Sequence, residues 1–217
     1  RNPRLGDNYN RPPFPTFDFR NNVVYDFGDM ASGMTGNKLD ANYVANYIRP
    51  GPSSNLKHGV IVFTDQADAR FYIRDNYVER DLRMIDRAEI KGRKVVAEVD
   101  RPFDAPPVRT TSALDALPAV LAGAGATRPV RDAVDLRLIE EVRNGTGHVI
   151  DSQWEVGGWP EYRGARPPID TDRDGLPDDW ERSHGLNPRD AKDAALVSAD
   201  GYTHLEHYLN ELAGMRP

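Results

Sequence analysis

The segment Tyr43-Val44-Ala45-Asn46-Tyr47 has two near copies elsewhere in the chain, Phe19-Arg20-Asn21-Asn22-Val23 and Ile73-Arg74-Asp75-Asn76-Tyr77. Each copy begins with an aromatic or apolar residue and places Asn fourth, so that the Asn recurs after 24 and then 30 residues. Repeats of about 20–50 residues are typical of solenoids, in which one coil stacks on the next. Asn amides at one register can then hydrogen-bond along the stack. The repeats therefore predict a parallel β-solenoid with an inward ladder of Asn22, Asn46 and Asn76.

Three unrelated strand-and-turn segments are the alternative interpretation, because Asn is common near turns. Other parts of residues 1–108 favour coils. Val60-Ile61-Val62-Phe63 is an apolar run of the kind expected for a strand buried on both faces, and residues 94–99 form a last candidate strand before several prolines. We assign residues 1–108 to the coils.

The hydrophobic periodicity becomes helical after the coils. Ser112 predicts the start of a helix over 113–122, which Pro118 should kink or shorten. A second helix is predicted over 131–143, ending at Gly145. These apolar helices are expected to pack on the solenoid.

The next stretch, residues 150–166, resembles an extended strap and carries Trp154 and Trp159. Both tryptophans are open to two interpretations, as structural residues or as platforms that stack on sugars. We assign residues 109–169 to one helical and extended segment that packs on the coils.

Composition excludes several classes of protein. A net charge of −6 argues against a nucleic-acid-binding protein, which needs a basic surface. No run approaches the ~18 apolar residues that a membrane span needs, and the mean hydropathy is −0.65. The chain has no Cys, hence no disulfide framework. It opens at Arg1 without an initiator Met or an apolar leader, so we expect a mature form or a fragment.

The most specific short motif is a 12-residue acidic loop near the end of the chain. In an EF-type loop, calcium takes carboxylates at positions 1, 3, 5, 9 and 12 and a backbone carbonyl at position 7, with Gly at position 6 for the sharp turn. Each liganding position is filled here, by Asp170, Asp172, Asp174, Leu176, Asp178 and Glu181 in that order. The loop predicts Ca²⁺ binding, and the alternative is an acidic, solvated loop without an ion.

A second, degenerate loop is predicted further on. Placing Gly201 at position 6 of the same template leaves few oxygen ligands at the other positions, which are Leu196, Ser198, Asp200, His204 and His207. Thr203 and Glu206 form a capping box for the helix that follows. Residues 170–214 are thus expected to form an EF-hand-like calcium-binding tail whose second half folds against the first and binds little or no metal.

Taken together, four groups of residues resemble the C-terminal half of a pectate lyase of polysaccharide lyase family 1, most closely the secreted members that end in an EF-hand segment. These groups are Arg1-Asn2-Pro3-Arg4-Leu5-Gly6, Asn42-Tyr43-Val44 with Pro50-Gly51-Pro52, Val156-Gly157-Gly158-Trp159-Pro160, and Asp170 to Glu181 with Gly201-Tyr202-Thr203. The resemblance covers nearly the whole chain. It implies a partial right-handed parallel β-helix, all-β, with an α-helical, EF-hand-like calcium-binding tail.

The resemblance also implies an activity. Members of the family cleave polygalacturonate (pectate) by calcium-dependent β-elimination, and their Arg-x-Pro-x-x-Arg motif places the catalytic arginine at Arg1. Gly6 stands where many members have a second, substrate-binding arginine, so that Arg4 is the nearest substitute. The family's catalytic calcium ligands lie upstream of this motif. We therefore expect the chain to need an upstream half of the same protein and to be inactive alone.

A rival hypothesis from another class is a non-catalytic β-solenoid that binds glycans or mediates adhesion, with a calcium-stapled end. Solenoids need a cap over the last coil, and residues 112–217 could serve only as that cap. In both hypotheses the partner is an acidic polysaccharide or another glycan, and neither nucleic acid nor membrane is expected.

Overall fold

The computed structural model describes residues 4–5, 11–34, 38–55, 61–63, 68–79, 83–85, 89–90, 97–162 and 164–214. The chain divides into two compact units. The first contains Arg1–Thr127 with Arg131–Trp159, and the second contains Arg128–Val130 with Pro160–Pro217. The division into 1–108, 109–169 and 170–214 stays a prediction.

Twelve described strands, numbered β1 to β12 in chain order, form three four-stranded sheets in the first unit. The first sheet has the order β1 (Arg4–Leu5), β4 (Ser32–Met34), β7 (Ile61–Phe63), β11 (Glu89–Ile90). The second has the order β12 (Ala97–Glu98), β8 (Asp68–Arg74), β5 (Lys38–Val44), β2 (Thr16–Arg20). The third has the order β10 (Arg83–Ile85), β9 (Asn76–Val78), β6 (Tyr47–Arg49), β3 (Val23–Tyr25).

Neighbouring strands in these sheets are parallel, apart from the pair of β9 with β10. Of the apolar run at 60–63, Ile61–Phe63 forms β7, and Val60 lies outside the described residues. Of the candidate strand at 94–99, β12 covers Ala97–Glu98, and residues 94–96 lie outside the described residues.

The strand register places the three sequence copies on one another. Phe19 pairs with Tyr43 and Tyr43 with Ile73 in the second sheet, while Val23 pairs with Tyr47 and Tyr47 with Tyr77 in the third. Unrelated segments would not share one register along two sheets. The interpretation of the copies as stacked repeats is confirmed.

The residue before each ladder Asn turns the chain from the second sheet into the third. It has a left-handed backbone in all three copies, with φ of 51° at Asn21, 52° at Ala45 and 57° at Asp75. This conformation costs a residue other than Gly about 1–2 kcal/mol. Because three residues adopt this conformation, other contacts at each corner must offset its free-energy cost.

The asparagine ladder supplies those contacts. Asn46 Nδ2 donates to Asn76 Oδ1 at 2.9 Å, and Asn22 Nδ2 donates to Asn46 Oδ1 at 3.0 Å. The backbone N–H groups of Asn22 and Asn46 donate to the same two oxygens, at 3.0 and 2.9 Å. Asn46 and Asn76 are fully buried. The predicted inward ladder is confirmed.

The core of the first unit lies among the strands. Its large, fully buried side chains include Phe27, Leu39, Tyr43, Ile48, Phe71 and Val78. The Tyr43 hydroxyl lies 2.8 Å from Ser32 Oγ, so its polar end has a partner inside the apolar core. Burial raises the pKa of Tyr43.

Two helices pack in the first unit, as predicted. α1 (Ala113–Gly123) is capped by Ser112, whose side chain accepts from the Asp115 N–H, and it contacts β3, β6 and β9. α2 (Ala133–Asn144) ends at Gly145, which has φ of 70°. Pro118 does not shorten α1, because the helix continues through it to Gly123, and the alternative expectation of a kink stays a prediction.

The segment between the strands and α1 is fastened by two asparagine side chains. Asn42 bonds both the N–H and the carbonyl of Phe103, at 2.8 and 3.0 Å. Asn21 bonds both groups of Thr111 in the same way, at 2.8 and 2.9 Å. Because each amide pairs with both backbone groups of one residue, these bonds hold residues 103–111 on the strands.

The predicted strap at 150–166 is only partly extended. Gln153–Val156 forms a 3-10 helix with a capping box between Ser152 and Glu155, so the polar residues here close a local turn. Trp154 and Trp159 are 71% and 72% exposed, which excludes a purely core role for them.

The second unit contains α3 (Asp178–His184), a 3-10 helix at Asp193–Ala195 and α4 (His204–Leu212). The predicted capping box of Thr203 and Glu206 starts α4, and Gly185 ends α3 with φ of 74°. Among the described parts of the chain, no helix combines the length and hydropathy that crossing a bilayer requires.

Candidate functional site

The two arginines proposed for catalysis fall at the edge of what the structure describes. Arg1 lies outside the described residues. Arg4 begins β1 and pairs in parallel with Gly33, and its side chain lies outside the description. The site that the described residues do build is the acidic loop of the second unit.

The acidic loop is folded by its own carboxylates. Asp170 accepts from the N–H groups of Arg173 and Gly175, at 2.7 and 3.1 Å. Asp174 Oδ1 accepts from the N–H of Leu176 at 2.9 Å. Gly175 has φ of 99°, a conformation that glycine adopts without steric cost. Residues 170–176 therefore curl so that their remaining oxygens face inward.

Asp178 closes this loop. Its backbone N–H donates to Ile169 O at 2.9 Å, and its carboxylate accepts from the N–H and the hydroxyl of Thr171 at 2.7 and 2.8 Å. Arg182 adds an ion pair at 3.0 Å. The hydroxyl bond from Thr171 is the main reason that the pKa of Asp178 is lowered. Both oxygens of Asp178 thus have protein partners, as both oxygens of Asp170 do.

Several other carboxylate oxygens of this unit are buried without any hydrogen-bond partner among the described residues. They are Oδ1 and Oδ2 of Asp172, Oδ2 of Asp174, Oε1 and Oε2 of Glu181, and Oδ1 of Asp193. An unpartnered buried anionic oxygen costs several kcal/mol, so native structures pair such groups or place them on metal ions. The donor set is all oxygen, which fits Ca²⁺.

The carboxylates of this unit include two overlapping groups of three whose ligand atoms lie close together. Ligand atoms of Asp170, Asp172 and Asp174 lie within 4.8 Å of one another, and so do those of Asp174, Glu181 and Asp193. Asp174 is common to both. The structure thus brings together four of the loop's predicted side-chain ligands, in two overlapping groups.

Asp193 is a candidate ligand that the sequence does not indicate. It lies in the 3-10 helix, is 6% exposed, and its Oδ2 accepts from the Asn187 N–H at 3.0 Å, which orients Oδ1. In the sequence it belongs to Asp190-Ala191-Lys192-Asp193, a polar stretch with no ligand spacing. No signal in the sequence separates Asp193 from an exposed loop residue.

The crowding of carboxylates shifts their proton affinities. Burial, followed by the charges of Asp172, Asp174 and other neighbouring carboxylates, raises the pKa of Glu181 to about 7. Burial and the charges of Asp174 and Asp170 likewise raise the pKa of Asp172. Both pKa values are raised for the same reason, because the site holds several carboxylates and few neighbouring cations.

The Glu181 shift predicts how the calcium-free chain responds to pH. Its folded pKa of about 7 exceeds the ordinary 4.5, so the folded state holds an extra proton between these values. Stability therefore falls as the pH rises from about 5 to about 8. The lowered pKa of Asp178 affects stability only at a pH below this range. Thermal unfolding of calcium-depleted protein should show a lower midpoint at the higher pH, and Glu181→Gln should flatten the difference; a midpoint that rises with pH would contradict the assignment.

The second loop closes on itself, and the expectation that it folds against the first loop stays a prediction. Thr203 forms an antiparallel bridge with Val197, and the His204 N–H donates to Leu196 O at 3.2 Å. Both contacts lie inside the second loop, which reverses its own direction around Gly201. His207 bonds Asp200 at 3.2 Å, within the same turn.

Comparison with models of protein families gives no match for the chain. Curated proteins do match it. The chain is 34% identical over 208 residues to probable pectate lyase C of Aspergillus fumigatus, a match that covers 90% of this chain and 48% of that protein. It is 32% identical over 206 residues to probable pectate lyase C of Aspergillus terreus, with the same coverage. The chain thus spans about half the length of the curated relatives it matches.

Proposed function

We propose, from the premise that this chain is a homologue of the fungal proteins named probable pectate lyase C, that it is the C-terminal portion of a pectate lyase. Identity of 32–34% over 90% of the chain is the observation that carries the proposal. The parallel sheets stacked at one register support a right-handed parallel β-helix as the fold of the first unit. The substrate is then pectate, an acidic polysaccharide, and the protein acts as a secreted enzyme.

The proposed reaction is β-elimination. A base removes the proton α to the uronate carboxylate, the 4-linked sugar leaves, and a double bond forms in the ring that remains. Negative charge builds up on the carboxylate, where cations stabilise the transition state. Arg1 is assigned to this charge, with Arg4 nearby in sequence as a substrate contact. Because a guanidinium stays protonated near neutral pH, Arg1 could act as the base only in an alkaline medium.

We propose that activity needs an upstream part of the same protein. The chain covers 48% of its relatives, and the resemblance places the catalytic calcium ligands on coils before Arg1. When bound, catalytic Ca²⁺ would stabilise charge on the substrate. The isolated chain should therefore be inactive.

The second unit is proposed to carry a structural calcium in an EF-hand-like tail. Asp170, Asp172, Asp174 and Glu181 would supply carboxylate oxygens and Leu176 its carbonyl. Asp178 stands at position 9, where a water commonly lies between the carboxylate and the ion. A structural role is favoured because the unpartnered oxygens are buried within the unit.

One observation favours the rival function, a non-catalytic glycan-binding solenoid. Trp154 and Trp159 expose more than two-thirds of their surface, and exposed aromatic rings can stack on sugar rings. Such a module would bind pectate without releasing any unsaturated product.

Replacing Arg1 by alanine in the longer protein separates the two functions. We expect release of unsaturated uronide from polygalacturonate to fall about a hundredfold or more, since a positioned charge or proton carrier is lost. Arg143→Ala is the matched control, because Arg143 lies on the exposed side of α2 and pairs with Glu140 there. Normal release by the Arg1 variant would contradict the assignment, and binding without any release by the unaltered protein would establish the rival.

A further inference from the structure

We propose that the second unit binds two divalent cations, the second of them held by Asp174, Glu181 and Asp193. This inference rests on the proposed structural calcium of the 170–181 loop and extends it to a residue outside that loop. Its basis is the geometry and burial of the three carboxylates.

The surroundings of the Asp193 carboxylate suit a cation ligand. One of its oxygens, Oδ2, is fixed by the Asn187 N–H at 3.0 Å, while Oδ1 is buried and has no hydrogen-bond partner in the described part of the chain. The side chain is 6% exposed. A surface aspartate would turn both oxygens to water, whereas the buried Oδ1 is placed to bind a cation.

Glu181 gives a second, independent indication. It is fully buried, and neither Oε1 nor Oε2 has a hydrogen-bond partner among the described residues. Its ligand atom groups with those of Asp174 and Asp193 within 4.8 Å. Glu181 therefore faces the carboxylate of Asp193 as well as the loop.

The two clusters have only Asp174 in common. Among the described residues, no group of three within this distance combines Asp170 or Asp172 with Glu181. A single EF-type ion would need Glu181 to close directly onto the first turn of the loop. Each cluster is therefore assigned its own ion, with Asp174 between them.

The charge of the site also favours two ions. The five clustered carboxylates carry −5, of which one divalent cation leaves −3 and two leave −1. Arg182, a neighbouring cation, pairs with Asp178 and Asp179 instead, at 3.0 and 2.8 Å. Since buried uncompensated charge is expensive, the second cation removes a larger electrostatic penalty than any described side chain does.

The second ion should be a hard cation of the calcium type. Both clusters offer only carboxylate oxygens, without His or Cys. Oxygen-only donor sets select Ca²⁺ or Mg²⁺ over zinc or copper, and several protein carboxylates favour Ca²⁺ because Mg²⁺ usually keeps several of its waters.

Calcium titration of the 217-residue chain by calorimetry or equilibrium dialysis tests the inference. The unaltered chain should bind two Ca²⁺ ions, and Asp193→Asn should bind one. The matched control is Asp190→Asn, whose exposed carboxylate bonds the Lys192 N–H at 3.3 Å and belongs to neither cluster. This control should still bind two.

The outcomes separate the inference from the function on which it rests. One ion on the unaltered chain would overturn the second site and leave the structural calcium standing, whether or not Asp193→Asn weakens that ion. No calcium at all would overturn both. Because the count on the unaltered chain is decisive by itself, the test survives even if Asp193→Asn fails to fold.

Discussion

Replacing Asn46 by alanine is expected to lower the free energy of unfolding of the first unit by about 3–5 kcal/mol. The Asn46 side chain occupies the middle of the ladder. Its Oδ1 accepts from the N–H and the amide of Asn22, and its Nδ2 donates to Asn76 Oδ1 and to Phe19 O, all at 2.9–3.0 Å.

The cost comes from the partners that stay behind. Alanine leaves the Asn22 donors and the Phe19 carbonyl without the Asn46 side chain, and each unsatisfied buried group costs about 1–3 kcal/mol. It also removes the bonds to Phe19 and Asn22 that flank the left-handed corner at Asn21. Several such losses add up because they arise at one buried position.

Urea unfolding followed by circular dichroism measures the loss. Asn144→Ala is the matched control, because Asn144 is exposed at the end of α2 and bonds Glu140 at 3.2 Å; it should change stability by less than about 0.5 kcal/mol. Asn22→Ala, at the half-buried end of the ladder, should cost an intermediate amount and serves if Asn46→Ala does not fold. A loss of unfolding free energy below about 1 kcal/mol for Asn46→Ala would show that the ladder contributes little to stability.

Replacing Asp174 by alanine is expected to abolish the stabilisation of the second unit by calcium. Asp174 is the carboxylate shared by both clusters, so its loss weakens each proposed ion site. An ion whose free concentration is about 100 to 1,000 times its Kd stabilises the folded state by about 3–4 kcal/mol. The variant should lose most of that amount in calcium and little after chelation, where the carboxylates only repel one another.

Hydrogen exchange of the α3 amides in calcium and in chelator gives the comparison. Asp179→Ala is the control, because Asp179 lies beside the site but its side chain is 99% exposed. Calcium should protect α3 in the unaltered chain and in the control, and should not protect it in Asp174→Ala. If calcium protected α3 in Asp174→Ala as much as in the unaltered chain, the proposal that a cation on Asp174 stabilises this unit would be contradicted.

The sequence predicts those parts of the structure that depend on local or repeated patterns. The ladder follows from a repeat, and the helix starts at Ser112 and Thr203 follow from side chains that cap their own backbone. The curl of the acidic loop follows from the spacing of its aspartates and the position of Gly175.

What the sequence does not predict depends on contacts between distant positions. Asp193 enters the cation site through the fold of the connector after α3, and the Asn187 bond that orients it has no sequence pattern. The clamp of Asn42 on Phe103 joins residues 61 positions apart. Pro118 does not end α1, because the local cost of a proline inside a helix is outweighed by the packing of α1 on the strands.

The ultraviolet absorbance of unsaturated uronide released from polygalacturonate distinguishes a pectate lyase from a protein that only binds pectate. The proposed longer protein, this chain with its upstream part, should release it with added calcium and stop when a chelator is added, whereas the isolated 217-residue chain should release none. Absence of unsaturated product from the longer protein, under conditions in which it is folded and binds pectate, would contradict the proposal that the chain is part of a pectate lyase.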